Sequence, residues 1–424
     1  MTPTQLSESK SVAQGFSIHR TWRHLSLAVG PGLVVMLADT EAGSVIGAAQ
    51  SGAQWGYRLL LLQFALIPAL FMAQELASRL GLATRQGLAE LALHRLGRWP
   101  AVLLLITLSV SCAGALVTQL SGLAGVGQLY GVPIWKSSVV ATSALVTIVF
   151  TGSYRSIERV AIAAGLCELV FIVLAWQARP ELADIASQIM QMPFGDRGYL
   201  YLWAASLGTC VIPWGIFYQQ SASIDKGLTR AHLLTARVET LAGAVLCQVI
   251  TASVLIAAAS VMGHGGSHGH SFERVDEIAD TFSAVIGPGA GRVLFALGMS
   301  GGALVAAIVV CLTAAWAFGE VFGLRHSLSE TPAEAPWFYG ALAAILIGSG
   351  TLVASGVNLV HLAISVGVLN ALLLPVVLGF LYQLARRALP DDLRLRGFYA
   401  AAVAAVFAAV AGLGLYASIA GTFT

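Results

Sequence analysis

The chain has 424 residues, 57% of them hydrophobic and only 10% charged, with a net charge of +2. Its mean hydropathy is +0.80. Soluble domains carry about a quarter charged residues, so the composition excludes a soluble globular protein and points to a polytopic membrane protein built as one helical unit; the short alternating segments of an outer-membrane barrel are missing.

In chain order, the first twenty residues are polar and contain no apolar core for a cleavable signal. Apolar runs of bilayer-spanning length then predict eleven helices, at 26–49, 57–80, 100–125, 137–152, 158–178, 198–222, 237–262, 290–318, 336–354, 358–384 and 398–420. With the N-terminus in the cytoplasm, 17 of the 23 Lys and Arg fall in inside segments. That bias follows the positive-inside rule and predicts an external C-terminus. The organisation expected is a cytoplasmic segment 1–25, a transporter core 26–384 and an eleventh helix with its external tail, 398–424. Residues 81–99 read as an amphipathic stretch along the cytoplasmic interface, and 263–288 as an external loop. Cys112, Cys167, Cys210, Cys247 and Cys311 lie far apart, mostly in apolar runs, which is neither a disulfide framework nor a zinc spacing.

Two spans are interrupted. The first carries Asp39, Thr40 and Glu41, with a predicted break over Glu41–Ser44 helped by Gly43. The sixth, LGTCVIPWGIFYQQSASIDKG, has Pro213 and Gly215 near its middle. Proline removes a backbone donor and glycine is permissive. In lipid such breaks must be covered by protein or line a cavity. Spans 1 and 6 open two five-helix halves, about 26–178 and 198–384, and broken helices at matching places in inverted halves point to a transporter's binding site. Glu41 is the first candidate ligand, because an uncompensated carboxylate at membrane depth is expensive. Asp39 reaches an ion through water or bonds across the break. Ser44 offers a hydroxyl or caps the second half-helix. Thr209 and the carbonyls before Pro213 face the site. Gln219 and Gln220 offer amide oxygens or an interhelical hydrogen bond. Glu168 lines the permeation path, Glu239 is interfacial near Arg237, and Asn370 is interhelical glue. His264, His268 and His270 with Glu273, Asp276 and Glu277 form either a cation-gathering tract or a solvated loop.

Gly30-Pro31-Gly32, a short apolar run and then Glu41-Ala42-Gly43-Ser44 resemble the first span of the Nramp (natural resistance-associated macrophage protein) divalent-metal transporters, whose signature there is Asp-Pro-Gly-Asn. QELASRLGLATRQGLAEL (Gln74 to Leu91) and GSYRSIERV (Gly152 to Val160) resemble further family segments, and VIPWGIFYQQS sits where the family has Met-Pro-His-Asn and a second histidine. The resemblance implies an all-α, LeuT-like fold (the APC superfamily) with an inverted 5+5 repeat, discontinuous helices 1 and 6 and about eleven spans. It also implies departures. The family's metal-binding Asp, Asn and Met correspond to Glu41, Ser44 and Ile212, the span-six histidines to Trp214 and Gln219, and an acidic stretch of span three to the segment around Gln119. Losing the thioether removes the ligand that favours softer metals, and losing histidines removes proton relays. The pattern resembles the Nramp-related magnesium transporter branch, which itself carries Asp where this chain has Glu41.

The expected function is secondary transport of a hard divalent cation, Mg²⁺ or Mn²⁺, without proton coupling. The alternatives are an organic solute such as an amino acid, or a sensor homologue that no longer transports. No enzyme signature is found. The expectations include no cofactor, no nucleic-acid partner, a monomer in the bilayer, and residence in the cell's inner membrane.

Overall fold

A chain in hydrocarbon must satisfy its own backbone hydrogen bonds, and for a single segment only a helix does so. The computed structural model describes residues 30–151, 154–264, 269–323, 334 and 336–423, and among these every regular element is a helix. Span 1 is α1 (Pro31–Ala38) and α2 (Ala42–Trp55); span 2 is α3 (Leu60–Thr84). A short α4 (Leu88–Leu96) follows, then span 3, α5 (Arg98–Leu129), and span 4, α6 (Ile134–Thr151). Span 5 is α7 (Tyr154–Gly165) and α8 (Val170–Gln177), with a 3₁₀ turn at Leu166–Leu169 between them. After α9 (Leu182–Gln188), span 6 is α10 (Arg197–Cys210) and α11 (Pro213–Asp225). Span 7 is α12 (Leu233–His264), α13 (Val275–Ile286) lies in the following loop, and span 8 is α14 (Pro288–Phe322). Spans 9 to 11 are α15 (Pro336–Ala354), α16 (Leu359–Arg387) and α17 (Gly397–Phe423).

Among the described residues, eight helical stretches are long and apolar enough to cross a bilayer, and the bent pair α1–α2 makes a ninth. The shorter apolar helices Ile134–Ile148 and Tyr339–Ala354 stand where the fourth and ninth spans are predicted. The predicted amphipathic stretch contains α4, whose apolar Leu88, Ala89, Leu91 and Ala92 are buried.

Two helix starts are capped by their own N-cap side chains. The Asp196 carboxylate accepts from the Tyr199 amide at the start of α10 (3.1 Å). The Asn358 amide oxygen accepts from Val360 and His361 at the start of α16. Such caps satisfy amides that the helix itself leaves free. Glu239 corrects an expectation. It is not simply interfacial: its carboxylate accepts from the Gly30 and Leu33 amides at 2.5 and 2.9 Å and so caps α1. Arg237 turns the other way, onto Glu75 (2.7 Å). Glu75 is also held by Arg79 at 2.6 Å, and the Arg79 guanidinium lies over the Tyr399 ring.

Small residues bring the spans that matter for the site into close contact. A Cβ on Gly52 of α2 would lie 2.4 Å from the Leu255 carbonyl of α12, and one on Gly208 of α10 would lie 1.9 Å from the Gly367 carbonyl of α16. Backbones approach this closely in membrane proteins where no side chain intervenes. The Asn370 amide oxygen accepts from the Ser111 hydroxyl at 2.8 Å, tying α16 to α5 in the interhelical role expected of it.

Candidate functional site

The two breaks meet. Helix α1 packs on α11 and α2 packs on α10. Four half-helix ends therefore converge: the carbonyl ends of α1 and α10 and the amide ends of α2 and α11. Span 1 bends by 47°. Its non-helical residues are Asp39, Thr40 and Glu41, whereas Gly43 and Ser44 are already helical in α2. The break thus comes earlier than predicted. Gly43 serves proximity instead of unwinding, since a Cβ there would meet Glu41 Oε1 at 3.0 Å and Thr118 at 3.2 Å. In span 6 the break is Val211–Ile212, and Pro213 opens α11, at the one helical turn where a missing amide costs nothing. Gly215 is likewise helical. A Cβ there would lie 3.1 Å from both Asp39 Oδ1 and Gln74 Nε2, so this glycine admits the Asp39 carboxylate.

The predicted ligands fall into two groups. Asp39 and Glu41 are buried at the junction. Both carboxylate oxygens of Asp39 and Oε1 of Glu41 have no hydrogen-bond partner. The other oxygen of Glu41 accepts from Gln119 Nε2. Gln119 Oε1 in turn accepts from the Ala42 amide (3.2 Å), and its Nε2 also donates to the Ala115 carbonyl (3.1 Å). One amide on α5 therefore caps α2 from outside and fixes the Glu41 side chain. Ser44 Oγ lies 2.8 Å from the Asp39 carbonyl and 3.2 Å from the Thr209 carbonyl. Its hydrogen is shared between acceptors at the two breaks, and it reaches back across the junction rather than capping α2. Thr209 presents that carbonyl, while its own hydroxyl donates to Ala205 (3.0 Å) within α10. Ile212 and Trp214 are fully buried beside the break, the indole Nε1 without a partner.

Gln219 and Gln220 belong elsewhere. They lie six and seven residues along α11 from Pro213, about 10 Å at 1.5 Å per residue. Gln220 Nε2 donates to the Gln86 carbonyl at 2.8 Å, which is the interhelical alternative for this residue. Gln219 is buried with its amide oxygen unpartnered. Sequence reasoning missed Gln74 of α3, a buried amide with neither end partnered that stands beside Gly215 and so beside Asp39. Its signal was a Gln-Glu pair inside an apolar run.

Among the described residues the loop acids join no group of three metal-ligating side chains. Arg274 holds Asp276 at 2.8 Å, and the bond keeps that carboxyl below its ordinary value. Glu277 accepts from the Glu273 amide at 3.0 Å. The His270 ring packs edge-on against Phe272; His268 and the side chain of His264 lie outside the described residues. Beyond α2, a cleft of about 660 Å³ is lined by Gln54, Trp55, Arg58, Gln191, Met192, Pro193 and Gly269.

Residues 32–420 match the family described as natural resistance-associated macrophage protein-like, or Nramp. The chain belongs to this family. Among Nramp relatives it is 26% identical over 431 residues to the divalent metal cation transporter MntH of Acidiphilium cryptum, covering 96% of this chain and 93% of the relative. It is 29% identical over 303 residues to MntH 1 of Pseudomonas aeruginosa, covering 66% and 65%. It spans less than half of several plant Nramp relatives that it matches. The structure superposes on the manganese transporter of Eremococcus coleocola with a TM-score of 0.72 at 17% identity, over 96% of this chain and 89% of that one. That likeness establishes the Nramp, LeuT-like fold.

Proposed function

We propose that this chain carries a hard divalent cation, Mg²⁺ or Mn²⁺, across the membrane by alternating access, bound at the junction of the two broken spans. The observation that carries this is the set of three unpartnered carboxylate oxygens on Asp39 and Glu41, buried where four helix ends meet. A buried carboxylate without a partner costs several kcal/mol, and a divalent cation between the pair offsets both charges. Around them the chain offers the Ser44 hydroxyl and the Thr209 carbonyl oxygens, and the Gln74 amide stands beside Asp39. The family's thioether position holds Ile212, buried and apolar. Among the described residues no three His, Cys, Asp or Glu side chains converge. Two carboxylates with few other charged ligands suit an ion that keeps part of its water. Several relatives are named as divalent metal transporters, and the superposed structure is of a manganese transporter.

Transport is driven by the ion gradient and the membrane potential, worth about 2.3 kcal/mol per charge per 100 mV. It proceeds without proton coupling, since Gln119, Trp214 and Gln219 are neutral where the resemblance places relay groups. The working unit is the core 26–384, a monomer in the inner membrane with the N-terminus inside and the C-terminus outside. Liposomes containing the protein, given a Mg²⁺ or Mn²⁺ gradient under an inside-negative potential, are expected to take up the ion. The Glu41→Ala variant is expected to be silent. Uptake of neither ion by the wild type sinks the proposal. Internal acidification in step with uptake sinks its proton-uncoupled part.

A further inference from the structure

At the end of the molecule where α4 lies, α3, α12 and α17 meet over one acid. Glu75 of α3 is buried and accepts from two arginines, Arg79 at 2.6 Å and Arg237 of α12 at 2.7 Å. The Tyr399 hydroxyl of α17 donates to its Oε2 at 3.5 Å. The donors of Arg79 are spent, Nε and Nη2 on Glu75 and Nη1 on the Leu393 carbonyl at 3.3 Å. Arg237 spends only Nε. Among the described residues its two Nη groups meet no acceptor, and its side chain is 39% exposed. The cluster therefore carries one positive charge more than its carboxylate balances.

Arg237 shares a helix face with Leu234, Val238, Leu241 and Val245, which are all exposed. Steps of three and four residues put these side chains on one stripe, and an apolar stripe left bare on a spanning helix is turned to acyl chains. On the α17 side Phe398, 90% exposed, stands next to Tyr399. Arg237 lies one turn inside the start of α12. Side chains lean towards a helix's N-terminus, here the membrane surface, so the guanidinium reaches the headgroup layer while its stem stays among apolar residues. The neighbouring acids do not cancel the surplus charge. Glu239 is committed to the Gly30 and Leu33 amides. The segment 386–396, which joins α16 to α17, holds four arginines against Asp391 and Asp392, and Asp391 already pairs with both Arg394 and Arg396. We propose that this corner binds the headgroup of an anionic phospholipid, its phosphate on the Nη groups of Arg237 and its acyl chains along the α12 stripe. Basic pockets between spans at the membrane surface suit such headgroups. One lipid phosphate matches the one surplus charge, whereas a zwitterionic lipid brings a cation of its own. The bound lipid completes the charge balance of the Glu75 cluster and so holds the three spans together, whichever ion the protein carries.

The test uses the purified full-length protein in detergent. Its melting temperature is followed while phosphatidylglycerol, phosphatidylcholine or inorganic phosphate is titrated in, and native mass spectrometry counts the lipids retained. The wild type is expected to melt higher with phosphatidylglycerol, saturably, and to retain that lipid, while phosphatidylcholine and phosphate leave it unchanged. Arg237→Leu is expected to bind phosphatidylglycerol about fivefold more weakly, the worth of one arginine near an anionic surface, with an unchanged melting temperature in phosphatidylcholine, which shows that it is folded. Arg237→Lys keeps the charge and is expected to restore most of the binding. Arg274→Leu, at the opposite end of α12, is expected to bind as the wild type does. An equal response of the wild type to the two lipids overturns the proposal, whether or not the variants fold. So does wild-type affinity in Arg237→Leu, or an equal loss in Arg274→Leu, which is the mark of unspecific charge attraction. A response to inorganic phosphate equal to that with phosphatidylglycerol overturns the lipid as occupant.

Discussion

A single neutral side chain, Gln119, holds the carboxylate on which the proposed site depends. Its amide donates to Glu41 and accepts from Ala42, so both ends are committed. Groups that orient a ligand in this way typically govern metal affinity by about 10- to 100-fold. Gln119→Leu is therefore expected to weaken Mn²⁺ binding by about that factor, measured by isothermal titration, while the protein still elutes as a monodisperse peak. Unchanged affinity would show that Glu41 needs no such support. Gly215 acts by its smallness. Gly215→Ala places a methyl about 3 Å from Asp39 Oδ1 and Gln74 and is expected to lower uptake with little change in melting temperature. The carboxylates were legible in the sequence because charge inside an apolar run stands out. Gln74 and Gln119 were not legible as positioning groups, because a neutral amide in a membrane helix reads equally well as interhelical glue. Only the fold distinguishes Gln220, occupied by Gln86, from Gln119, occupied by Glu41.

Among elements, α10 lies backbone to backbone against α16. Gly208 lets it lie directly on α16, with Gly367 presenting its carbonyl where a side chain would otherwise be. Gly208→Ala forces the two helices apart, and overpacking of this kind costs about 1–3 kcal/mol. The expected result is a clear drop in melting temperature in detergent. Gly414→Ala is the control, since its Cβ would meet no atom closer than 3.6 Å; an equal drop in both variants would remove the packing explanation. The sequence placed the helices well because long apolar runs leave few alternatives to a spanning helix. It misplaced the two breaks by a few residues because glycine and proline were taken to mark unwound positions. Here Pro213 begins a helix, and Gly43 and Gly215 lie within helices at points of close approach. Composition cannot separate those roles, because each needs the same absence of a side chain or of an amide.

For the molecule as a whole, the conformation seen is closed over the junction, with Asp39, Glu41 and Ser44 all buried. At the α4 end the closure is polar: Glu320 Oε1 accepts from Ser221 (2.7 Å), Gln220 donates to Gln86, and Gly87 leaves the space that the Glu320 carboxylate fills. These contacts join distant parts of the chain and left no mark in its hydropathy. Cys210, buried one residue before the span-6 break, reports on opening. In a variant keeping only this cysteine, a water-soluble maleimide is expected to label slowly, faster after Ser221→Ala, and more slowly again with Mn²⁺. Labelling indifferent to all three conditions would separate this closure from access to the junction. The Ser44 hydroxyl, within 2.8 and 3.2 Å of carbonyls on opposite halves, also works as a caliper. Its reach sets how far apart the two chain breaks stand while it bridges them. An ion stripped of its water fits inside that gap, and an ion still wearing part of its shell must first prise the gap open. Magnesium gives up water reluctantly, so in the proposed site the Ser44 bridge has to part further for magnesium than for manganese. Ser44→Ala is therefore expected to shift the ratio of Mg²⁺ to Mn²⁺ uptake, measured in the liposomes, towards magnesium.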